Sequence, residues 1–204
     1  MSAVLRSRTL ARGIKPLGPP PLRVIPRIIA LGFLSLRPFN TLYAMRSARV
    51  LKNARRIIAL CKGNTCRSPF LAGYLIRRAA ELGVSLPPVV SRGLLPQNGD
   101  PSSPAAVETA RRFGVDLSTH ASCSIQQETI GPSDVILVVM PLHLADLARL
   151  FPGSKPKFIY IGLLDPADHA PFVLDPYNGD AGTYHHTYQR LQRAVDRLLS
   201  ESYR

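Results

Sequence analysis

Residues 55–83 read RRIIALCKGNTCRSPFLAGYLIRRAAELG, and the order of textures in that stretch decides the fold. A short Ile-rich run, Arg55–Leu60, ends at Cys61. Beyond the loop, Leu71, Leu75, Ala79 and Leu82 recur at helical spacing until Gly83 stops the pattern. The stretch is therefore strand, loop, helix. Ser68 is a suitable N-cap and Pro69 a suitable first helical residue, so the loop runs straight into a helix N-terminus.

Working toward the C-terminus, the same alternation repeats. PPVVSRG (87–93) reads as a second strand, and SSPAAVETARRFG (102–114) as a helix with a Ser cap, an early Pro and a closing Gly. DVILVVM (134–140) is a continuous apolar run, the pattern of a strand buried on both faces. PLHLADLARLF (141–151) reads as a helix and KFIYIG (157–162) as a fourth strand. In the tail, Tyr184, Tyr188, Leu191, Val195, Leu198 and Leu199 fall at helical spacing. The sum is βαβαβαβα, which predicts an α/β fold: a four-stranded parallel sheet with helices on both faces.

The front of the chain is different. Residues 1–80 carry 16 Lys/Arg and no Asp or Glu, whereas residues 81–204 carry 10 Lys/Arg against 13 Asp/Glu. The net charge of +13 thus belongs to the front, not to a basic surface spread over a fold, and aromatic residues are not interleaved with it. That pattern excludes a nucleic-acid platform. Residues 1–53 are read as a poorly structured, basic, Pro/Arg-rich extension, and residues 54–204 as the folded domain. The apolar run Ile28–Leu36 is too short to span a bilayer and is bracketed by Arg27, Arg37 and Pro38. Three readings of the extension stay open: a transit peptide, a basic segment touching anionic membrane surfaces, or disordered sequence upstream of a working start at Met45. Three cysteines without a CxxC pair or a His cluster point to a reducing, cytoplasmic setting and to neither a disulfide framework nor a metal site.

The strand–loop–helix context gives the loop its chemistry. Cys61 stands at the carboxyl end of the first strand, where open α/β sheets bind ligands. Gly63 and Asn64 accept left-handed backbone angles, so the N–H groups of Lys62 through Ser68 can converge on an anion, helped by the helix dipole. Arg67 adds a planar fork for a tetrahedral oxyanion. The same field favours the Cys61 thiolate, which is the nucleophilic form, and the Ser68 hydroxyl can donate to it.

CKGNTCRSP (61–69) resembles the phosphate-binding loop of the low-molecular-weight protein tyrosine phosphatases, and the resemblance runs from about Arg56 to the C-terminus. It implies a phosphoric monoester hydrolase that needs no cofactor, with Cys61 as nucleophile, Arg67 clamping the phosphoryl oxygens and Ser68 assisting the departing thiolate. Lys62, Gly63, Asn64, Thr65 and Cys66 complete the phosphate loop. Asn64 and His120 match positions that hold the loop in shape. The implied partner is a phosphorylated protein. Cys66 is either a small buried loop residue or, as the family suggests, a reversible disulfide partner of Cys61.

Such chemistry also needs an acid for the leaving oxygen and a base for water. Asp165-Pro166 and Asp175-Pro176 both qualify by position. The resemblance selects Asp175, with Tyr177 as a cleft wall, and makes Asp165 a turn residue. The chain departs from the family pattern at Leu71 and Ala72, where an Ala-Glu pair is usual, and at Asn178, where some relatives have a second aromatic. Thr65 replaces a common aliphatic residue and resembles the protein arginine phosphatase branch, so phosphoarginine is the alternative substrate to phosphotyrosine. An arsenate reductase would need further resolving cysteines, and beyond the loop the chain has Cys123 alone. A non-catalytic anion-binding module is disfavoured by the joint presence of Cys61, Arg67 and Asp175.

Overall fold

The computed structural model describes residues 34–95 and 98–203. The readings that concern residues 1–33 lie outside the described residues. Four parallel strands make one sheet: β1 (Arg56–Cys61), β2 (Val89–Gly93), β3 (Asp134–Val138) and β4 (Lys157–Tyr160), in spatial order β2-β1-β3-β4. β1 is central, pairing Ile57 with Val89 on one side and with Val135 on the other. Parallel neighbours demand crossovers, which the helices α2 (Arg67–Glu81), α3 (Pro104–Arg111) and α4 (His143–Leu150) supply, and α5 (Ala181–Ser202) closes the chain. The expected four-stranded α/β architecture is the observed one.

The period of two along β1 sorts its side chains into two cores. Ile57, Ala59 and Cys61 join Phe70, Leu71 and Leu75 of α2 and Tyr188, Leu191 and Val195 of α5. Ile58 and Leu60 face the other way, against Leu144 and Leu147 of α4. The first core is anchored by Phe70 and Tyr188, whose rings stack at 3.9 Å between centroids with 2° between planes. Buried aromatic area of this kind carries much of the stability and fixes how α5 lies on α2. Leu82, expected on the buried helical face, lies one residue past the end of α2 and is exposed.

One boundary shifts. Residues Arg37–Lys52, assigned from sequence to the extension, form a helix, α1, and pack along α5. The physical reason is a buried arc of Asn40, Ala44, Ser47, Ala48 and Leu51, which follows the helical period. Specific bonds pin it: the Asn40 side chain donates to the Leu163 carbonyl at 2.5 Å, and the Tyr43 hydroxyl accepts from the Tyr160 N–H at 2.7 Å. Packed structure therefore begins upstream of residue 54. Among the described residues, no helix is long and apolar enough to cross a membrane.

Candidate active site

The loop between β1 and α2 wraps around the Cys61 sulfur. Asn64 turns the chain with φ 57°, a left-handed angle that Asn tolerates better than most residues. Its own N–H then points at Cys61 Sγ, 3.2 Å away, and the Ser68 hydroxyl lies 3.1 Å from the same sulfur. The loop is held from outside. The Asn64 side chain donates to Ser68 Oγ at 2.9 Å and accepts from the Cys123 N–H at 2.8 Å. His120 Nε2 donates to the Asn64 carbonyl at 2.7 Å, which places a proton on that nitrogen. The Ser68 hydroxyl also reaches the Arg92 carbonyl at 3.2 Å.

Ser68 was expected as the cap of α2, and here the structure differs: the N-cap is Cys66, and helical geometry starts at Arg67. The Ser68 hydroxyl is engaged with Cys61, Asn64 and Arg92 instead. A cap would have spent the hydroxyl on the helix. Residues that sequence reasoning passed over complete the cradle. Gly93 ends β2 so close to the loop that a Cβ there would meet the Lys62 carbonyl oxygen at 3.0 Å and the Asn64 N at 3.1 Å. Glycine at a strand end is the signal that marks such close approach.

Behind Cys66, Tyr184 and Ser103 form a polar backing. Cys66 Sγ is 3.5 Å from the Tyr184 hydroxyl, which is 2.8 Å from Ser103 Oγ. Burial, and then the Cys66 contact, push the Tyr184 phenol up to about 12, so it stays a neutral hydrogen-bonding group. Ser103 also caps α3, accepting from the Ala106 N–H at 3.3 Å as the Ser-Pro pattern predicts. Cys61 and Cys66 are both buried free thiols, and Cys123 is a half-buried one.

Arg67 is buried and reaches away from its helix toward the segment before α5. One terminal nitrogen donates to the Val173 carbonyl at 3.1 Å, and the other is paired with the Asp175 carboxylate. Its Nε is buried with no hydrogen-bond partner among the described residues, a donor that gains from an incoming acceptor. Asp175 is part exposed and also accepts from the Tyr177 N–H at 3.3 Å. The turn that follows places Asn178 at φ 64°, a left-handed angle that Asn tolerates and bulky side chains disfavour.

These parts meet in one cavity of about 270 Å³, lined by the loop residues Cys61, Lys62, Gly63, Thr65, Cys66 and Arg67 together with Leu95, Asp100, Asp175 and Tyr177. Asn64, Ser68 and His120 act behind that wall. Asp165 is elsewhere, fully buried, with Arg190 Nε at 3.2 Å and Arg193 Nε at 2.7 Å. His143, at the start of α4, is a second titratable group that sequence reading left inside a helix. It is buried with Nδ1 unpartnered among the described residues, and burial first, then the charges of Arg67 and Lys62, hold it neutral with a pKa down to about 3.

A strand end, a loop that turns the Asn64 N–H inward and a buried cysteine beneath it make an α/β site suited to an anion beside a thiol. Comparison with known proteins narrows the class. The family described as "Low molecular weight phosphotyrosine protein phosphatase" matches residues 56–203. The chain belongs to that family and is a phosphoric monoester hydrolase of the low-molecular-weight type. It is 29% identical over 142 residues to the probable low molecular weight protein-tyrosine-phosphatase EpsP of Ralstonia nicotianae, covering 70% of this chain and 92% of that one. Among solved structures it is similar to the low molecular weight protein tyrosine phosphatase from T. tengcongensis, with a TM-score of 0.64, 28% identity, and 72% of this chain and 99% of that chain covered. The YwlE arginine phosphatase from Geobacillus stearothermophilus shares the fold, with a TM-score of 0.59 at 24% identity over 72% of this chain and 91% of that one.

Proposed function

We propose that this chain removes phosphate from phosphotyrosine in proteins through a cysteinyl-phosphate intermediate, with the catalytic unit running from residue 54 to the C-terminus and α1 docked on it as an addition. The observation that carries the reading is the convergence of Cys61, Arg67 and Asp175 on a single cavity, with the Asn64 N–H aimed at the Cys61 sulfur. The Cys61 thiolate attacks phosphorus while the phosphorus–oxygen bond to the leaving group breaks. Arg67 and the loop N–H groups hold the three equatorial oxygens, where charge gathers in the transition state. The substrate oxygens take over the fork that Arg67 extends to Asp175, and the Asp175 carboxyl gives its proton to the departing oxygen. In the second step Asp175 takes a proton from water, the water oxygen bonds to phosphorus, and the phosphorus–sulfur bond breaks to release inorganic phosphate. Ser68 Oγ and the Asn64 N–H, both already at the sulfur, stabilise the thiolate that leaves. His120 and the Cys123 N–H keep Asn64 in its left-handed turn. Tyr177, exposed beside the cavity, is the wall against which an aromatic leaving group packs.

Cys61→Ser tests the step directly. Turnover of an aryl phosphate should vanish while phosphate binding persists; hydrolysis at the rate of the unaltered protein overturns the nucleophile assignment. A second reading, phosphoarginine, is favoured by one observation: Thr65, a hydroxyl-bearing residue where an aliphatic one would only pack, lines the cavity. Asp100 and Asp175 on the same wall suit a cationic guanidinium. Phosphotyrosine and phosphoarginine substrates assayed side by side, with and without Thr65→Ile, separate the two: a preference for phosphoarginine that Thr65→Ile removes replaces the first reading.

A further inference from the structure

We propose that the outward face of α1 is a docking face for an anionic lipid surface. A helix apolar on one side and packed there needs a polar opposite side in water. α1 breaks that rule. With Asn40, Ala44, Ala48 and Leu51 buried against the domain, the opposite arc still presents Phe39, Leu42 and Met45, and Leu36 just before the helix joins them, each between 49% and 63% exposed. Phe39, Leu42, Met45, Arg46 and Arg49 line one groove of about 670 Å³ on that face. A contiguous exposed apolar surface of this kind marks a site of interaction.

The charges on the face select the occupant. Arg46 and Arg49 follow Phe39 and Leu42 at helical spacing, and Lys52 continues the basic side one turn on. Glu201 of α5 borders the Lys52 end. The 33 residues that precede the described structure carry six Lys/Arg and no Asp or Glu, and in the sequence they end three residues before α1 begins. Apolar anchors among arginines, with a basic segment attached, fit an interfacial helix: the side chains enter the acyl boundary while the guanidinium groups meet lipid phosphates. A second copy of the chain fits poorly. A two-fold contact through this face sets two patches of the same positive charge, each carrying Arg46 and Arg49, against one another. The contact is peripheral, since no helix among the described residues is able to span.

Flotation of the full-length chain with vesicles tests this. Binding should be strong to phosphatidylcholine vesicles containing phosphatidylserine, weak to phosphatidylcholine alone, and reduced by salt. Leu42→Asp and the pair Arg46→Glu/Arg49→Glu should each weaken binding on the order of tenfold or more. Hydrolysis of a small aryl phosphate should be unchanged in both, which shows that the domain is intact; Arg46→Gln/Arg49→Gln is the milder pair if the reversal unfolds the chain. Equal binding to both vesicle types overturns the proposal. So does binding that neither variant alters, which would assign the contact to residues 1–33. A dimer in sedimentation that Leu42→Asp dissolves also overturns it in favour of self-association.

Discussion

The chain contains the same dipeptide twice within twelve residues, and its two copies have opposite surroundings. Asp165-Pro166 sits under the domain: its carboxylate is fully buried between Arg190 and Arg193 and also accepts from the Ala167 N–H at 3.0 Å. Burial alone would raise its pKa, but the bonds from Arg193, Ala167 and Arg190 outweigh burial and hold it below the ordinary carboxylate value. Asp175-Pro176 sits on the cavity wall, part exposed, with one arginine that belongs to the phosphate loop. An acid–base group must exchange protons with a ligand and with water. A carboxylate held by two arginines in the interior does neither, so burial and partners, not the Asp-Pro motif, separate scaffold from chemistry.

The largest effect that tests this contrast is on turnover. Asp175→Ala should lower kcat for aryl phosphates with poor leaving groups by about 10²–10⁴, the usual worth of a positioned proton donor, and much less for activated ones. Thermal stability should fall less than in Asp165→Asn, because the carboxylate is part exposed and its loss leaves one buried arginine, not two, without a counter-charge. Equal losses across leaving groups would remove Asp175 from the acid role. Asp165→Asn should do the reverse: unfolding free energy falls by about 3 kcal/mol as two guanidinium groups lose their buried counter-charge, while turnover per folded molecule is kept. Chemical denaturation together with active-site titration reads both quantities. A leaving-group-dependent loss in Asp165→Asn would dissolve the distinction.

The two regions also titrate in different windows. Asp165, with its folded pKa depressed, supports stability above the unfolded value of about 3.8, and that support is lost only as pH falls through its folded value. His143, on the side of the phosphate loop, has its folded pKa depressed from 6.5 to about 3. The unfolded chain therefore binds the extra proton first, and stability falls as pH drops below 6.5. At pH 5 the loss amounts to about 2 kcal/mol, before the Asp165 cluster contributes. Denaturation midpoints measured from pH 7 to 5 should decline in the native protein and flatten in His143→Gln. A decline that survives that substitution would move the titration elsewhere.

Much of this was legible in the sequence, for identifiable reasons. The apolar runs at 57–60 and 135–138 are unambiguous because a strand buried on both faces has few alternative homes. The loop could be read because Cys61 ends a strand and Arg67, Ser68 and Pro69 open the helix that follows. What escaped reading was non-local. Ser68 is a good cap by type, yet its hydroxyl is claimed by Cys61, Asn64 and Arg92, the last 24 residues away. The link from Asn64 to the Cys123 backbone leaves no trace in residue type, because any residue supplies an N–H. α1 was hidden by its own composition: apolar residues on both sides leave no helical stripe, and the buried side appears only once α5 is beside it.

Asp168 offers the smallest and finest test of the contrast, because it shares the first region's partner and the second region's exposure. Its carboxylate lies 3.2 Å from Arg190, but the side chain is 48% exposed. Arg190 itself does not depend on it. The guanidinium donates to the Phe172 carbonyl at 3.0 Å and the Asp168 carbonyl at 2.9 Å, and keeps Asp165 throughout. Those backbone bonds tie down the segment that leads through Val173 to Asp175, and none of them uses the Asp168 side chain. Water screens an exposed pair, so Asp168→Asn should cost no more than about 1 kcal/mol, against about 3 for the same change at Asp165. An amide at 168 can still accept from the Ala170 N–H, now at 2.9 Å from the carboxylate, so the turn is preserved. Denaturation of the two Asn variants under one buffer measures the ratio. Equal losses would mean that charge near Arg190, wherever it sits, supports the segment, and burial would no longer be what sets Asp165 apart.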